Sequence, residues 1–104
     1  MDTAALAAFV LEQLRPLPVQ ARAMFGGRGL YLEGKFFGIV TEGRLYLRTD
    51  EESRAEYVAR GMPALQPRRR PRGPRTVDRN FEVPPDVLAD ANLLRQWALR
   101  AARA

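Results

Sequence analysis

The sequence predicts an α+β protein of two layers: an antiparallel sheet, built as a three-stranded meander plus a second hairpin, with helices packed on one face. Three observations carry this. Residues 24–48, MFGGRGLYLEGKFFGIVTEGRLYLR, fall into short aromatic and β-branched runs divided by Glu33-Gly34-Lys35 and Glu42-Gly43, the pattern of tight hairpin turns. The last run alternates strictly, with Leu45 and Leu47 on one side and Arg44, Tyr46 and Arg48 on the other, so one face is buried and the other wet. Before and after this stretch, the apolar residues follow helical spacing instead.

The elements follow in order. Asp2-Thr3 offers a helix cap, and Leu6, Val10 and Leu14 form an i, i+4, i+8 stripe with Phe9 beside it. Pro16 and Pro18 end that helix, because a residue that precedes proline is driven out of the α region. Val19 to Ala23 then lead, extended, into the strands Leu30–Leu32, Phe36–Thr41 and Arg44–Arg48, with Phe36 and Phe37 assigned to the core. Thr49-Asp50-Glu51-Glu52 has the form of a capping box, with Thr49 as cap and Glu52 three residues on. The helix it opens runs to Arg60, with Glu56 and Arg60 as an attractive pair and Tyr57 and Val58 buried. Gly61 ends it in a left-handed cap, and Met62 supplies the accompanying apolar contact.

Ala64-Leu65-Gln66 and Thr76 to Val83 are the two arms of the expected second hairpin. The prolines between Pro63 and Pro74 make its first arm an irregular edge. Val77, Arg79, Phe81 and Val83 share one face at a period of two, Arg79 interrupting an apolar row. Pro84-Pro85 open a short helix through Leu88. Asp90 or Asn92 caps a final helix that buries Leu93, Leu94, Trp97 and Ala101, with Arg100 and Arg103 at its negative end.

A chain of 104 residues suffices for one core, hence a single domain over 1–104, and 46% hydrophobic content is that of a folded protein. No cysteine is present, which excludes disulfides, thiolate catalysis and Cys-based zinc sites; no histidine removes the commonest general base and metal ligand. Ser53 and the tyrosines have no base placed beside them by spacing, so no enzymatic activity, catalytic residue, metal or cofactor is expected. The N-terminus has neither the basic region nor the apolar run of a signal peptide, and no stretch approaches the ~18 apolar residues of a membrane span. A cytoplasmic location is expected.

The basic residues are sixteen Arg and one Lys, a bias that fits GC-rich coding. Their distribution is more informative. Residues 66–80 hold six Arg and one Asp, and the rest of the chain balances, so the whole excess of +5 lies in this segment.

The ordered set MFGGRGLYLEGKFFGIV, GRLYLRTDEESRAEYVARGM and FEVPPDVL, followed by a Leu- and Trp-bearing terminal helix, resembles the TfoX/Sxy N-terminal domain family from about Ala21 to the C-terminus. The resemblance implies the order helix, three strands, helix, two strands, helices, akin to secretion-chaperone-like and YjbR-like domains. Met24, Phe25, Gly26, Gly27, Gly29, Tyr31, Leu45, Gly61 and Met62 match its pattern as turn and core positions. It also implies a bacterial, non-enzymatic regulatory or adaptor module of transcription or competence control. The family's longer members carry a further C-terminal domain and act with a cyclic-AMP receptor protein, so a transcription factor is the implied kind of partner. Relatives have a milder Gly/Lys-containing connection where this chain has Arg68-Arg69-Arg70-Pro71-Arg72-Gly73-Pro74-Arg75.

Four candidate sites follow from the residues. Gly26-Gly27-Arg28-Gly29 is not a phosphate loop, because a strand rather than a helix N-terminus follows it; a bend or bulge explains it. Arg68, Arg69, Arg70, Arg72 and Arg75, within an Arg68–Arg79 cluster, suit phosphate contacts and make direct nucleic-acid binding the alternative function; a solvated turn is the plainer reading. Tyr31, Arg44, Tyr46 and Arg48 make a basic, aromatic wet face of the sheet, able to meet a protein partner, a base stack or a second copy as a homodimer. Asp50, Glu51 and Glu52 are cap chemistry in a first helical turn rather than a cation site.

Overall fold

The computed structural model of the chain describes residues 2–24, 26–66 and 79–104. Its elements are α1 (Thr3–Leu14), β1 (Val19–Met24), β2 (Gly27–Leu32), β3 (Lys35–Thr41), β4 (Arg44–Arg48), α2 (Glu51–Ala59), β5 (Asn80–Glu82), α3 (Pro85–Leu88) and α4 (Ala91–Arg103). The strands make one antiparallel sheet in chain order, β1 to β5. The α+β class and the helix-backed antiparallel sheet are as the sequence predicts. The meander has four strands rather than three, because Val19–Met24 pairs along its whole length with β2.

Local chemistry explains the two central turns. Glu33 (φ 51°) with Gly34 (φ 83°), and Glu42 (φ 52°) with Gly43 (φ 72°), put both central residues in the left-handed region, the two-residue turn whose twist matches paired strands. Gly43 N–H also donates to Thr3 Oγ1 at 2.9 Å, which ties the start of α1 to the β3–β4 turn.

The register between β2 and β3 slips by one residue at Leu30/Tyr31: Leu30 faces Gly38, whereas Tyr31 faces Phe36. This bulge lets Phe37 and Val40 both reach the core, three residues apart, which simple alternation forbids. Phe36 is left on the other face and half-buried, against its core assignment. Gly38 is demanded by close approach, since a Cβ there would lie 2.7 Å from the Tyr46 carbonyl oxygen and 2.9 Å from Leu47 Cδ2.

Leu30, Leu32, Phe37, Val40, Leu45 and Leu47 form the sheet's side of the core. Against them α1 lays Leu6, Ala7, Val10 and Leu14. Asp2 caps this helix, its Oδ1 accepting from Ala5 N at 2.7 Å, and Arg15 leaves it with ψ 144° ahead of Pro16. Phe9 is 36% exposed rather than packed beside the stripe. With Ala7 buried too, the stripe's centre shifts to roughly 115° from Phe9 at 100° per residue.

The α2 cap falls one residue later than the sequence suggests. Asp50 is the N-cap: Asp50 Oδ1 accepts from Ser53 N at 2.8 Å, and Ser53 Oγ accepts from Asp50 N at 3.0 Å. Thr49 is instead buried, its N–H and hydroxyl both donating to the Arg79 carbonyl, at 2.6 and 2.9 Å, which docks the residue ahead of β5 beside β4. Tyr57 is buried as expected, but Val58, about 100° further round, is 60% exposed. Beyond Arg60, Gly61 (φ 74°) donates to Val58 O at 2.9 Å and Met62 donates to Tyr57 O at 3.0 Å, the paired bonds of a Schellman motif with Met62 packed on the core. The expected Glu56–Arg60 pair does not form. Glu56 binds Arg100 at 2.7 Å and Arg60 binds Asp86 at 3.1 Å, so both charges serve tertiary contacts.

Of the second hairpin, Thr76 to Asp78 lie outside the described residues. Its described arm, β5, pairs with β4 on one side and on the other meets an isolated bridge, Ala64 opposite Phe81. Leu65 N donates to Asn80 O at 2.8 Å and Glu82 N to Pro63 O at 2.9 Å, so Pro63–Leu65 sheathes that edge without becoming a strand. Pro85 opens α3, and Asp90 caps α4 by accepting from Leu93 N at 3.1 Å. Leu94, Trp97 and Ala101 go into the core, with Leu93 packed at its margin.

Candidate interaction surface

Core-facing Leu30, Leu32, Leu45 and Leu47 define the helix side of the sheet, so their alternates form the other face. Register sets the rows there: Gln20, Tyr31 and Phe36 stand side by side, then Arg22, Gly29, Ile39, Tyr46 and Glu82. Arg44 sits opposite Thr41, and Arg48 opposite Asn80. Tyr31, Arg44, Tyr46 and Arg48 are thus brought onto one face, as alternation requires.

The face is only partly wet. Arg22 and Arg44 are exposed and Tyr31, Phe36 and Arg48 half-buried, whereas Ile39 and Tyr46 are buried. Tyr46 is therefore not a wet residue, and burial pushes its phenol above the ordinary tyrosine range. Period-two reading gives the side a residue points to; it does not give what neighbouring side chains cover.

An aromatic and cationic cluster occupies the β1–β3 part. Phe36 meets Tyr31 edge-to-face with ring centres 5.6 Å apart, and the Arg22 guanidinium lies 4.9 Å from the Tyr31 centroid. Gly29 leaves room for Met24, whose Cε lies 2.8 Å from where a Cβ on Gly29 would stand, so methionine lies beside the tyrosine. At the β4–β5 part, Arg44 donates to Glu82 Oε2 at 2.8 Å, and this bond is the main cause that holds the guanidinium's pKa above its usual value. The surface as a whole offers planar apolar groups inside a margin of arginines. It suits an apolar contact with an acidic rim.

Arg22 and Met24 were not among the sequence candidates, because Val19 to Ala23 reads there as a lead-in and Met24 as a turn or core position. The signal was present: Val19, Ala21 and Ala23 alternate with Gln20 and Arg22 at a strand's period.

The remaining candidates resolve as follows. Arg68, Arg69, Arg70, Arg72 and Arg75 lie outside the described residues. Of the Gly26–Gly29 stretch, Gly26 lies in the β1–β2 turn, which Met24 opposite Gly27 closes, and Gly27, Arg28 and Gly29 already belong to strand β2. Asp50 is engaged in its cap, while Glu51 and Glu52 stand exposed in the first turn of α2. Ser53 Oγ belongs to that cap, and Tyr57 is buried. No helix among the described residues is long and apolar enough to cross a membrane.

Fold and surface together describe a small α+β domain whose helices line one side of a meander and whose other side carries aromatic and arginine side chains. The chain belongs to the TfoX N-terminal domain family, whose model matches residues 11–104. No curated protein matches it.

Proposed function

We propose that this domain is a non-enzymatic regulatory or adaptor module of the cytoplasm that works by protein contact, with transcription or competence control as the process its family suggests. One observation carries the reading: Arg22, Tyr31, Phe36 and Met24 are gathered on the sheet face opposite the helices, with Arg44 on the same face. The partner is a protein with an apolar patch rimmed by acids, of which a transcription factor is one kind. The absence of histidine and cysteine and the structural use of Ser53 support a role without catalysis. The test is affinity capture from the source cell with the wild type and with Arg22→Glu/Tyr31→Ala. The expected result is one protein recovered in stoichiometric amount by the wild type and lost with the double variant. Equal recovery by both removes this face from the proposal.

The alternative is direct nucleic-acid binding through Arg68, Arg69, Arg70, Arg72 and Arg75, favoured by the confinement of the whole +5 excess to residues 66–80. Binding of that origin falls steeply with salt. Titration of duplex DNA at two salt concentrations, with the wild type and with all five changed to Ala, decides it: no low-salt binding, or binding indifferent to the changes, eliminates this reading.

A further inference from the structure

The two edges of the sheet are treated differently. The β5 edge is sheathed by Pro63–Leu65 through the bonds to Asn80 and Glu82. The β1 edge is bare: among the described residues no strand pairs with its far side, and Gln20, Ala21, Arg22 and Ala23 are all exposed. Ala21 and Ala23 point to the helix side and are still exposed, so the helix layer meets β1 only at its start, where Val19 packs on the core, and leaves room beside the rest. Between Val19 and Met24 there is no proline, no lysine and no bulge in the register with β2, and Arg22 is the one charged side chain on the edge.

We infer that β1 is the dimerisation edge of the protein and that its occupant is β1 of a second copy, paired antiparallel about a two-fold axis through Ala21. The side-chain order selects this register. With Ala21 opposite Ala21, Gln20 stands opposite Arg22 twice and Val19 opposite Ala23 twice. Amide meets guanidinium on one face and small apolar side chains meet on the other. Centring on Arg22 would set like charges directly opposite each other. Centring on Gln20 would set Pro18, which has no N–H, opposite Arg22 inside the ladder, whereas centring on Ala21 leaves it opposite Met24 at the strand's last residue. The two-fold axis makes one continuous sheet with both helix layers on the same side.

The chain has no native cysteine, so single-cysteine cross-linking reads the register directly. Sedimentation equilibrium should show a concentration-dependent dimer. Ala21→Cys should form an intermolecular disulfide under mild oxidation far faster than Val58→Cys, an exposed site on α2, because residues across an antiparallel two-fold lie at bridging distance. Ala21→Lys, at an exposed position, should keep the monomer's thermal unfolding and raise the dissociation constant about tenfold. Gln20→Glu places a carboxylate opposite Arg22 at both ends of the pairing and should tighten the dimer by about three- to tenfold at low salt. A monomer at every concentration overturns the inference. So does a dimer indifferent to Ala21→Lys, cross-linking of the Ala21→Cys variant no faster than that of Val58→Cys, or no tightening by Gln20→Glu.

Discussion

The Tyr57 ring meets the Trp97 ring nearly edge-on, with centroids 5.0 Å apart and planes at 73°, and this contact joins α2 to α4 inside the core. Phe81 of β5 completes the group at 5.7 Å from Tyr57. Arg60 and Arg100 lie 5.4 and 4.8 Å from the Trp97 centroid, and both guanidiniums also hold carboxylates, Asp86 and Glu56. Tyr57→Ala should therefore remove about 3–5 kcal/mol from unfolding in urea, a large share of a small domain's stability. Tyr57→Phe keeps both ring contacts and should cost far less.

Acid should destabilise the protein in part through Asp50 and Asp86. Hydrogen bonds from Ser53 N–H and from Arg60, respectively, hold these carboxyls below the usual aspartate value. A lowered folded-state pKa contributes stability that is present above the unfolded value of about 4 and lost as pH falls through the folded one. Thermal midpoints followed from pH 6 downward should drop less for Asp86→Asn than for wild type, from a lower starting value.

Alkali should act through tyrosine. Burial raises the phenols of Tyr46 and Tyr57, Tyr57 the more strongly. A raised folded-state pKa means the stabilisation is complete below the ordinary phenol value of about 10 and lost as pH rises through the folded one. Absorbance titration of tyrosinate should show late-ionising phenols that appear together with unfolding, and Tyr57→Phe should remove the latest component.

Two glycines separate steric from conformational demand. Gly38→Ala forces a Cβ against the Tyr46 carbonyl and Leu47 and should cost about 1–3 kcal/mol by overpacking the strand. Gly34→Ala meets open space but keeps φ near +83°, and should cost only about 1 kcal/mol. Urea midpoints of the two variants give the comparison.

Much of the architecture was legible because it rests on chemistry within a few residues. Glu33-Gly34 and Glu42-Gly43 turn the chain between two alternating runs, Gly61 ends a helix, and Pro85 opens one. The misreadings share another character. In them Thr49 stands as cap in place of Asp50, and Val58 and Phe36 are counted as core together with Tyr57 and Phe37, because propensity alone does not separate such neighbours. The Thr49 hydroxyl was claimed by the carbonyl of Arg79, thirty positions away, and the two phenylalanines were sorted by a slip against β2. The interaction surface was half legible for the same reason: alternation put Tyr31, Arg44, Tyr46 and Arg48 on one side, yet Tyr46 is buried and Arg22 joins Tyr31 across a strand pairing.

The sequence by itself determined where the chain turns, which residues can share a face, and that the positive excess is confined to residues 66–80. Only the tertiary structure decided which edge of the sheet no described strand covers, which aromatic enters the core and which arginine covers a ring. Turn, cap and alternation energies act over one to four residues, whereas burial and register depend on which distant segment comes to lie alongside.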